Sequence, residues 1–151
     1  MKKQFLPLML LASAICSCSE KQPETTEPMI TKTEIQVENG LLTPEIMHRL
    51  GKVGDVQVSP NHAKILYGVT YTSIEQNKGN RELYLMNVDG SENVKITNTP
   101  KSESNARWIN DSQIIYMRSG KLYTATIEGS TLKKEKEVAG AEGMEGFEPS
   151  P

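Results

Sequence analysis

Two stretches of the chain repeat one pattern of apolar and polar positions. In the first, Val56-Gln57-Val58 leads into the turn formers Ser59-Pro60-Asn61-His62, after which Ile65, Tyr67, Val69 and Tyr71 fall on one strand face. Across Arg81 to Val88 the residues Tyr84, Met86 and Val88 share one face while Leu83 and Leu85 take the other. Asp89-Gly90-Ser91 makes a second turn, and Lys95-Ile96-Thr97 closes the unit. Ser73 to Asn80 is polar and is expected to be a loop between the two long strands. The second stretch answers part by part. Ala106-Arg107-Trp108 matches Val56-Gln57-Val58, and Asn110-Asp111-Ser112 takes the turn. Ile114-Ile115-Tyr116 matches Ile65-Leu66-Tyr67, and Lys121 to Ile127 matches Glu82 to Val88.

Apolar residues on both faces of a strand suit a sheet packed between two other sheets. Repetition of such a unit at about the length of one four-stranded blade predicts an all-β chain, specifically a partial β-propeller of about two four-stranded blades. The expected divisions are a blade at 54–97, a second at 98–139 and the start of a third at 140–151, where Phe147 opens another copy of the pattern. Lys133-Lys134-Glu135-Lys136-Glu137 alternates in sign and reads as a solvated edge strand, and Trp108 reads as core.

Upstream, Thr43-Pro44-Glu45 is a helix start: a hydroxyl N-cap, proline at the first helical position and an acid at the positive dipole end. Ile46, Met47 and Leu50 supply an apolar stripe and Gly51 a stop, giving a short helix and lead-in segment at 41–53. Residues 18–40 are polar, contain Pro23 and Pro28, and have no aromatic; they read as a flexible tether.

The first residues read as an address. Met1-Lys2-Lys3 precedes an apolar run from Phe5 to Ile15 that is too short to span a bilayer and has the layout of an export signal. The run ends in Ile15-Cys16-Ser17-Cys18. This resembles a bacterial lipoprotein box, with Ile15 three before and the small Ser17 directly before Cys18; Cys16 follows the bulky Ile15 and fits less well. Residues 1–17 are therefore the expected lipoprotein signal peptide, and Cys18 the acylated residue. The expected location is the bacterial cell envelope, lipid-anchored to a periplasmic or outer-membrane surface. Removing residues 1–17 takes away Lys2 and Lys3 and no acid, so a net charge of −2 becomes −4. Charge then gives no hold on an anionic membrane or on nucleic acid, and the lipid has to supply the attachment.

The details of the repeats resemble a known family. Val58-Ser59-Pro60, the aliphatic pair before Tyr67, Leu83-Tyr84-Leu85-Met86-Asn87 with Asp89-Gly90, and the closing Ile96-Thr97 are similar to the repeat of TolB-type propellers and of the prolyl oligopeptidase family of serine peptidases. The order Leu42-Thr43-Pro44-Glu45, short helix, Val53-Gly54-Asp55, then Val58-Ser59-Pro60 resembles the start of the propeller in acylaminoacyl-peptidase and dipeptidyl-peptidase-like members. TolB-type proteins place a separate α/β domain ahead of their blades, for which these residues leave no room. The similarity covers about residues 41–139. His62 departs from the pattern, standing where the family has glycine, and so needs a permissive backbone.

That resemblance implies an α/β-hydrolase domain carrying a serine in a Gly-x-Ser-x-Gly elbow. No such pentapeptide occurs here, and the two histidines, His48 and His62, lie outside any matching context. No catalytic residue is assigned, and no cofactor or metal is expected. Gly140, Gly143 and Gly146 lack the flanking strand and helix of a phosphate loop. The sequence thus leads to the expectation of an N-terminal propeller fragment whose peptide substrates concern only a full-length form. It is joined to the membrane by lipid, has no nucleic-acid partner, and has unpaired blades through which copies can self-associate. The alternative is a non-enzymatic, TolB-like lipoprotein that binds proteins in the envelope. The lipid box is tested by metabolic labelling with a radioactive fatty acid: Cys18→Ser is expected to lose the label and Cys16→Ser to keep it.

Overall fold

A computed structural model describes residues 28–141 together with Gly143 and Phe147. Within them lie one short helix, α1 (Pro44–Arg49), and eight strands. These are β1 (Lys52–Val58), β2 (Lys64–Ser73), β3 (Lys78–Asn87), β4 (Val94–Lys95), β5 (Glu103–Trp108), β6 (Gln113–Arg118), β7 (Lys121–Glu128) and β8 (Thr131–Glu137). They form two four-stranded antiparallel sheets, each in the simple order of the chain, β1-β2-β3-β4 and β5-β6-β7-β8. The fold is all-β and propeller-like, as the alternation of apolar residues predicts.

The strand registers pair corresponding positions in the two sheets. Val58 faces Ile65 in the first and Trp108 faces Ile114 in the second; Tyr67 faces Tyr84, and Tyr116 faces Tyr123. Both tyrosine pairs stack, with ring centroids 5.5 and 6.0 Å apart. Each first strand also carries a bulge at the same place, between Gly54 and Gln57 and between Ser104 and Arg107. The inserted residue is left-handed in each, Asp55 at φ 51° and Asn105 at φ 52°. Asp and Asn tolerate that region better than most L-residues, so the side chains suit the backbone.

The core lies between the sheets. Leu66, Leu83 and Leu85 of the first pack against Ala106, Trp108, Ile114, Tyr116, Ala125 and Ile127 of the second. Leu66, Leu83, Leu85, Ile114 and Tyr116 are completely buried. At about 1.5–3 kcal/mol for each large apolar side chain buried, this joint is the main source of stability. Trp108 is core, as its position predicts, and its Nε1 donates to the Gln57 carbonyl at 3.4 Å, tying the two bulged strands together. The far face of the second sheet has a smaller cluster, in which Met117 and Leu122 meet Ala141, Val138 and Phe147.

Three local expectations change. Half of the polar stretch 73–80 is strand: β2 and β3 pair out to Ser73 and Lys78, leaving a four-residue turn at 74–77. The alternation carries no apolar signal there because the residues at the hairpin tip are mostly polar and exposed, Asn80 being buried. The helix starts as expected, with Thr43 Oγ1 accepting from the Ile46 N–H at 3.3 Å. Its apolar stripe, however, is not covered: Met47 and Leu50 are exposed, and no helical residue is buried. Gly51 is not a left-handed stop, because the cap Leu50 is already extended. Glycine is required there for room, since a Cβ would lie 2.8 Å from Val69 Cγ1 and 2.9 Å from Tyr71 Cε1. The two sheets also differ in where they place bulk. The Arg81 guanidinium lies across Gly68, where a Cβ would meet its Nε at 2.2 Å. The corresponding positions of the second sheet hold Met117 and Gly120.

The turn at Ser59–Ala63 explains the departure at His62. Asn61 Oδ1 accepts from Ser59 Oγ at 2.7 Å and from the Ala63 N–H at 3.1 Å, and the chain closes through Ser59 N–H to the Lys64 carbonyl at 2.8 Å. His62 sits at φ 58°. In the second sheet, Trp108 to Ile114 is one residue shorter than Val58 to Ile65. Asn110 Oδ1 caps the N–H groups of Ser112 and Gln113 there, and none of Ile109–Gln113 has positive φ. An L-residue in the left-handed region costs about 1–2 kcal/mol, and the freedom of glycine in the unfolded chain offsets part of any relief. His62→Gly is therefore expected to stabilise the protein by about 0.5–1 kcal/mol, read as a raised midpoint in urea unfolding.

Candidate functional site

The chemically densest part of the described residues is the corner where the chain leaves β4 and enters β5. The sequence between them, Ile96-Thr97-Asn98-Thr99-Pro100-Lys101-Ser102, is polar and short, so its hydroxyls must find partners inside the joint. Thr97 is buried, and its Oγ1 accepts from the Leu83 N–H at 2.8 Å. Around it stand two buried acids, Glu82 of β3 and Glu103 of β5. Glu82 Oε1 accepts from the Thr99 N–H at 3.1 Å and from Asn80 Nδ2 at 3.2 Å. Burial pushes its carboxyl above the ordinary glutamate range, and the neighbouring Glu103 adds to the effect against the hydrogen bonds from Thr97 and Thr99.

Glu103 is fully buried and is held by Arg118 of β6, whose Nε lies 2.7 Å from Oε1. Arg118 uses its other two nitrogens on Glu135 of β8, both at 2.8 Å. This bidentate hold keeps the Glu135 carboxyl below the usual range and raises the guanidinium further, against the cost of burying it. Tyr116 donates to Glu135, and the guanidinium lies over the rings of Tyr116 and Tyr123, 5.5 and 5.0 Å from their centroids. Desolvation first, then the Glu135 carboxylate, lifts the Tyr116 phenol well above its usual value. Arg118 is thus surrounded by two carboxylates and two rings. Its counterpart in the first sheet is Val69; there the phenol of Tyr84, which corresponds to Tyr123, is pushed up to about 12 chiefly by burial.

This cluster ties the sheets together, its hydroxyls and carboxylates engaged with one another. His48 lies on α1 and His62 in the first turn, far along the chain from it; no site gathers them. Among the described residues no three His, Cys, Asp or Glu side chains converge to hold a metal ion. An open cleft of about 500 Å³ lies between residues 28–33, α1 and the β2–β3 hairpin, with Tyr71, Glu45 and Arg49 on its walls. Side-chain amides grip the main chain of residues 28–30: Gln76 Nε2, on the cleft wall, donates to the Pro28 carbonyl at 3.2 Å, and Asn80 Nδ2 to the Ile30 carbonyl at 3.4 Å. Neither histidine lines it. Cys18, the one residue assigned a chemical role from sequence, lies outside the described residues, as do Cys16 and the export signal. No helix among the described residues is long and apolar enough to cross a membrane.

Sequence reasoning did not find the Arg118 cluster. The available signal was an arginine in the register of Val69, between apolar strand positions, with Glu135 inside a strand read as wholly solvated.

Comparison with known proteins places these sheets in context. No protein-family model matches the chain. It is 30% identical over 97 residues to a dipeptidyl-peptidase 5 of Porphyromonas endodontalis, covering 64% of this chain and 13% of that protein. It is 35% identical over 78 residues to a dipeptidyl-peptidase 5 of Porphyromonas gingivalis, covering 52% of this chain and 11% of that protein. The relationship is dipeptidyl-peptidase-like. The chain spans little more than a tenth of the length of either of these relatives.

The ion-pair geometry makes a graded prediction. Removing one partner from a buried pair strands the other charge and costs about 3–5 kcal/mol, whereas exposed pairs are worth about 0–1 kcal/mol. Arg118→Met is expected to lower stability by about 3–5 kcal/mol by leaving Glu103 buried and unpaired. Glu137→Gln, at the exposed pair with Lys121, is expected to change it by less than about 1 kcal/mol. Urea midpoints of the two variants test the contrast.

Proposed function

We propose that this chain is the propeller-forming N-terminal portion of an exported, lipid-anchored serine peptidase of dipeptidyl-peptidase type. In this reading the sheets gate the access of peptides to an α/β-hydrolase domain that these residues do not include, and these residues perform no hydrolysis themselves. The observation that carries it is the coincidence of two findings. The chain folds as two stacked sheets of identical strand order and of matching register across their first three strands, and its sequence similarity is to peptidases many times its length. The order of short helix, bulged first strand and Ser-Pro turn supports the same assignment.

The described residues fit a gating and scaffolding part better than a catalytic one. Their buried polar groups are spent on holding one sheet to the next, and their histidines stand apart. Leu41, Leu42, Met47, Leu50, Val53 and Val56 are each exposed, which suits surface that the rest of a larger protein covers. Export and acylation at Cys18 complete the reading and rest on the sequence of residues 1–18 alone.

The native product tests it. An antibody raised against residues 41–139 is expected to detect a membrane-associated species several times larger than 16.8 kDa, and a fluorophosphonate serine probe is expected to label that species. A single unlabelled band near 16.8 kDa would overturn the peptidase reading and leave the protein-binding lipoprotein in its place.

A further inference from the structure

We propose that the buried pair Glu82 and Glu103 carries one proton, held on Glu82 and directed at Thr97, and that this proton holds the corner joining the two sheets. The argument is a count of hydrogens. Thr97 Oγ1 lies 2.7 Å from Glu82 Oε2 and 2.9 Å from Glu103 Oε2, and it already accepts the Leu83 N–H at 2.8 Å. A hydroxyl has one hydrogen to donate. With both carboxylates ionised, one of them would face the lone pairs of the threonine oxygen at hydrogen-bonding distance, buried and out of reach of water. A proton on one carboxyl removes the conflict: that acid donates to Thr97, and Thr97 donates to the other.

The partners decide which acid carries it. Glu103 faces the Arg118 guanidinium at 2.7 Å; the one hydrogen of the Thr99 hydroxyl goes to the Lys101 carbonyl at 2.6 Å or to Glu103 at 2.8 Å, so the arginine is the donor that counts. Its charge is matched. Among the described residues, the donors within hydrogen-bonding distance of Glu82 are neutral: the Thr99 N–H, the Asn80 amide and the Thr97 hydroxyl. The groups acting on it from the surrounding elements are Glu103 on β5, with Arg118 on β6 behind it, Lys95 on β4 and the Tyr84 phenol on β3. Burial, with the like charge of Glu103, outweighs the hydrogen bonds from Thr97 and Thr99 and the charge of Lys95, so the proton sits on Glu82.

The joint is consequently sensitive to pH, with a definite sign. A carboxyl whose folded-state pKa is raised binds its proton more tightly in the native state than in the unfolded chain. Its contribution is complete below the unfolded glutamate value and is lost as pH rises through the folded value. Over that window one proton changes the unfolding constant by up to about tenfold per pH unit. The corner is therefore tightest in mildly acidic surroundings and loosens towards alkaline ones.

Glu82→Gln separates this from an ordinary buried acid. The amide supplies a permanent donor to Thr97 and cannot ionise, so thermal unfolding of the full chain between about pH 4.5 and 8.5 gives different curves. Wild type is expected to lose melting temperature as pH rises, and the glutamine variant is expected to lack that loss and to be the more stable of the two at the alkaline end. Parallel curves for the two proteins would overturn the proposal. If the variant does not fold, residue-assigned carbon NMR of the wild-type Glu82 carboxyl decides. Retention of the proton well above the ordinary glutamate value of about 4.3 upholds the proposal, and ionisation at that value overturns it.

Discussion

A sheet with apolar residues on both faces cannot stand alone, and this constraint governs the chain. Leu83 and Leu85 point one way from β3 and Tyr84 and Met86 the other, so each face needs a neighbour. The second sheet covers the leucine face and thereby buries its own Trp108, Ile114 and Tyr116. The equivalent positions of the first sheet are less completely buried: Val58 is 49% exposed where Trp108 is 8%. The difference is one of neighbours, since the local pattern is the same. Stability is thus relayed from sheet to sheet, in the manner of repeat architectures, where each unit completes the core of the one beside it.

Polar chemistry is laid over that apolar relay at one corner. Burying an acid is costly unless it is paired and hydrogen-bonded, and here two acids are buried within reach of a single hydroxyl. Arg118 answers one and a cage of neutral donors answers the other. Such a cluster adds directionality that leucine contacts do not have. It fixes how far the second sheet can turn relative to the first, because Glu82 belongs to one sheet, Glu103 to the other, and Thr97 to the link between them.

The repeat, its strands and the identity of the core were legible in the sequence because they depend on alternation and on turn residues that act locally. The alignment of Tyr67 with Tyr116 and of Tyr84 with Tyr123, written from pattern alone, is the register the strands adopt. The start of α1 was legible for the same reason, since a cap is a contact over three residues. What failed to show was whatever depends on distance. The stripe on α1 reads as buried only if something covers it. Gly51 looks like a helix stop until Val69 and Tyr71 are brought beside it. Arg118 meets Glu103 and Glu135 fifteen and seventeen positions away, and no spacing rule announces that meeting. Cys18 is legible as chemistry and lies beyond what the structure describes.

The bulges at Asp55 and Asn105 have a further consequence at the open side of each sheet. β1 and β5 are the first strands of their sheets, and their outer edges have no strand beside them among the described residues. A straight strand in that position is a template on which a foreign strand can lay down an uninterrupted ladder. Here a left-handed residue turns the main chain out of line midway along each, so donors and acceptors on the two sides of the kink no longer share one row. An intruding strand finds only two short, misaligned footholds. The same residue that repeats the geometry of the fold therefore also guards it against growing by accident.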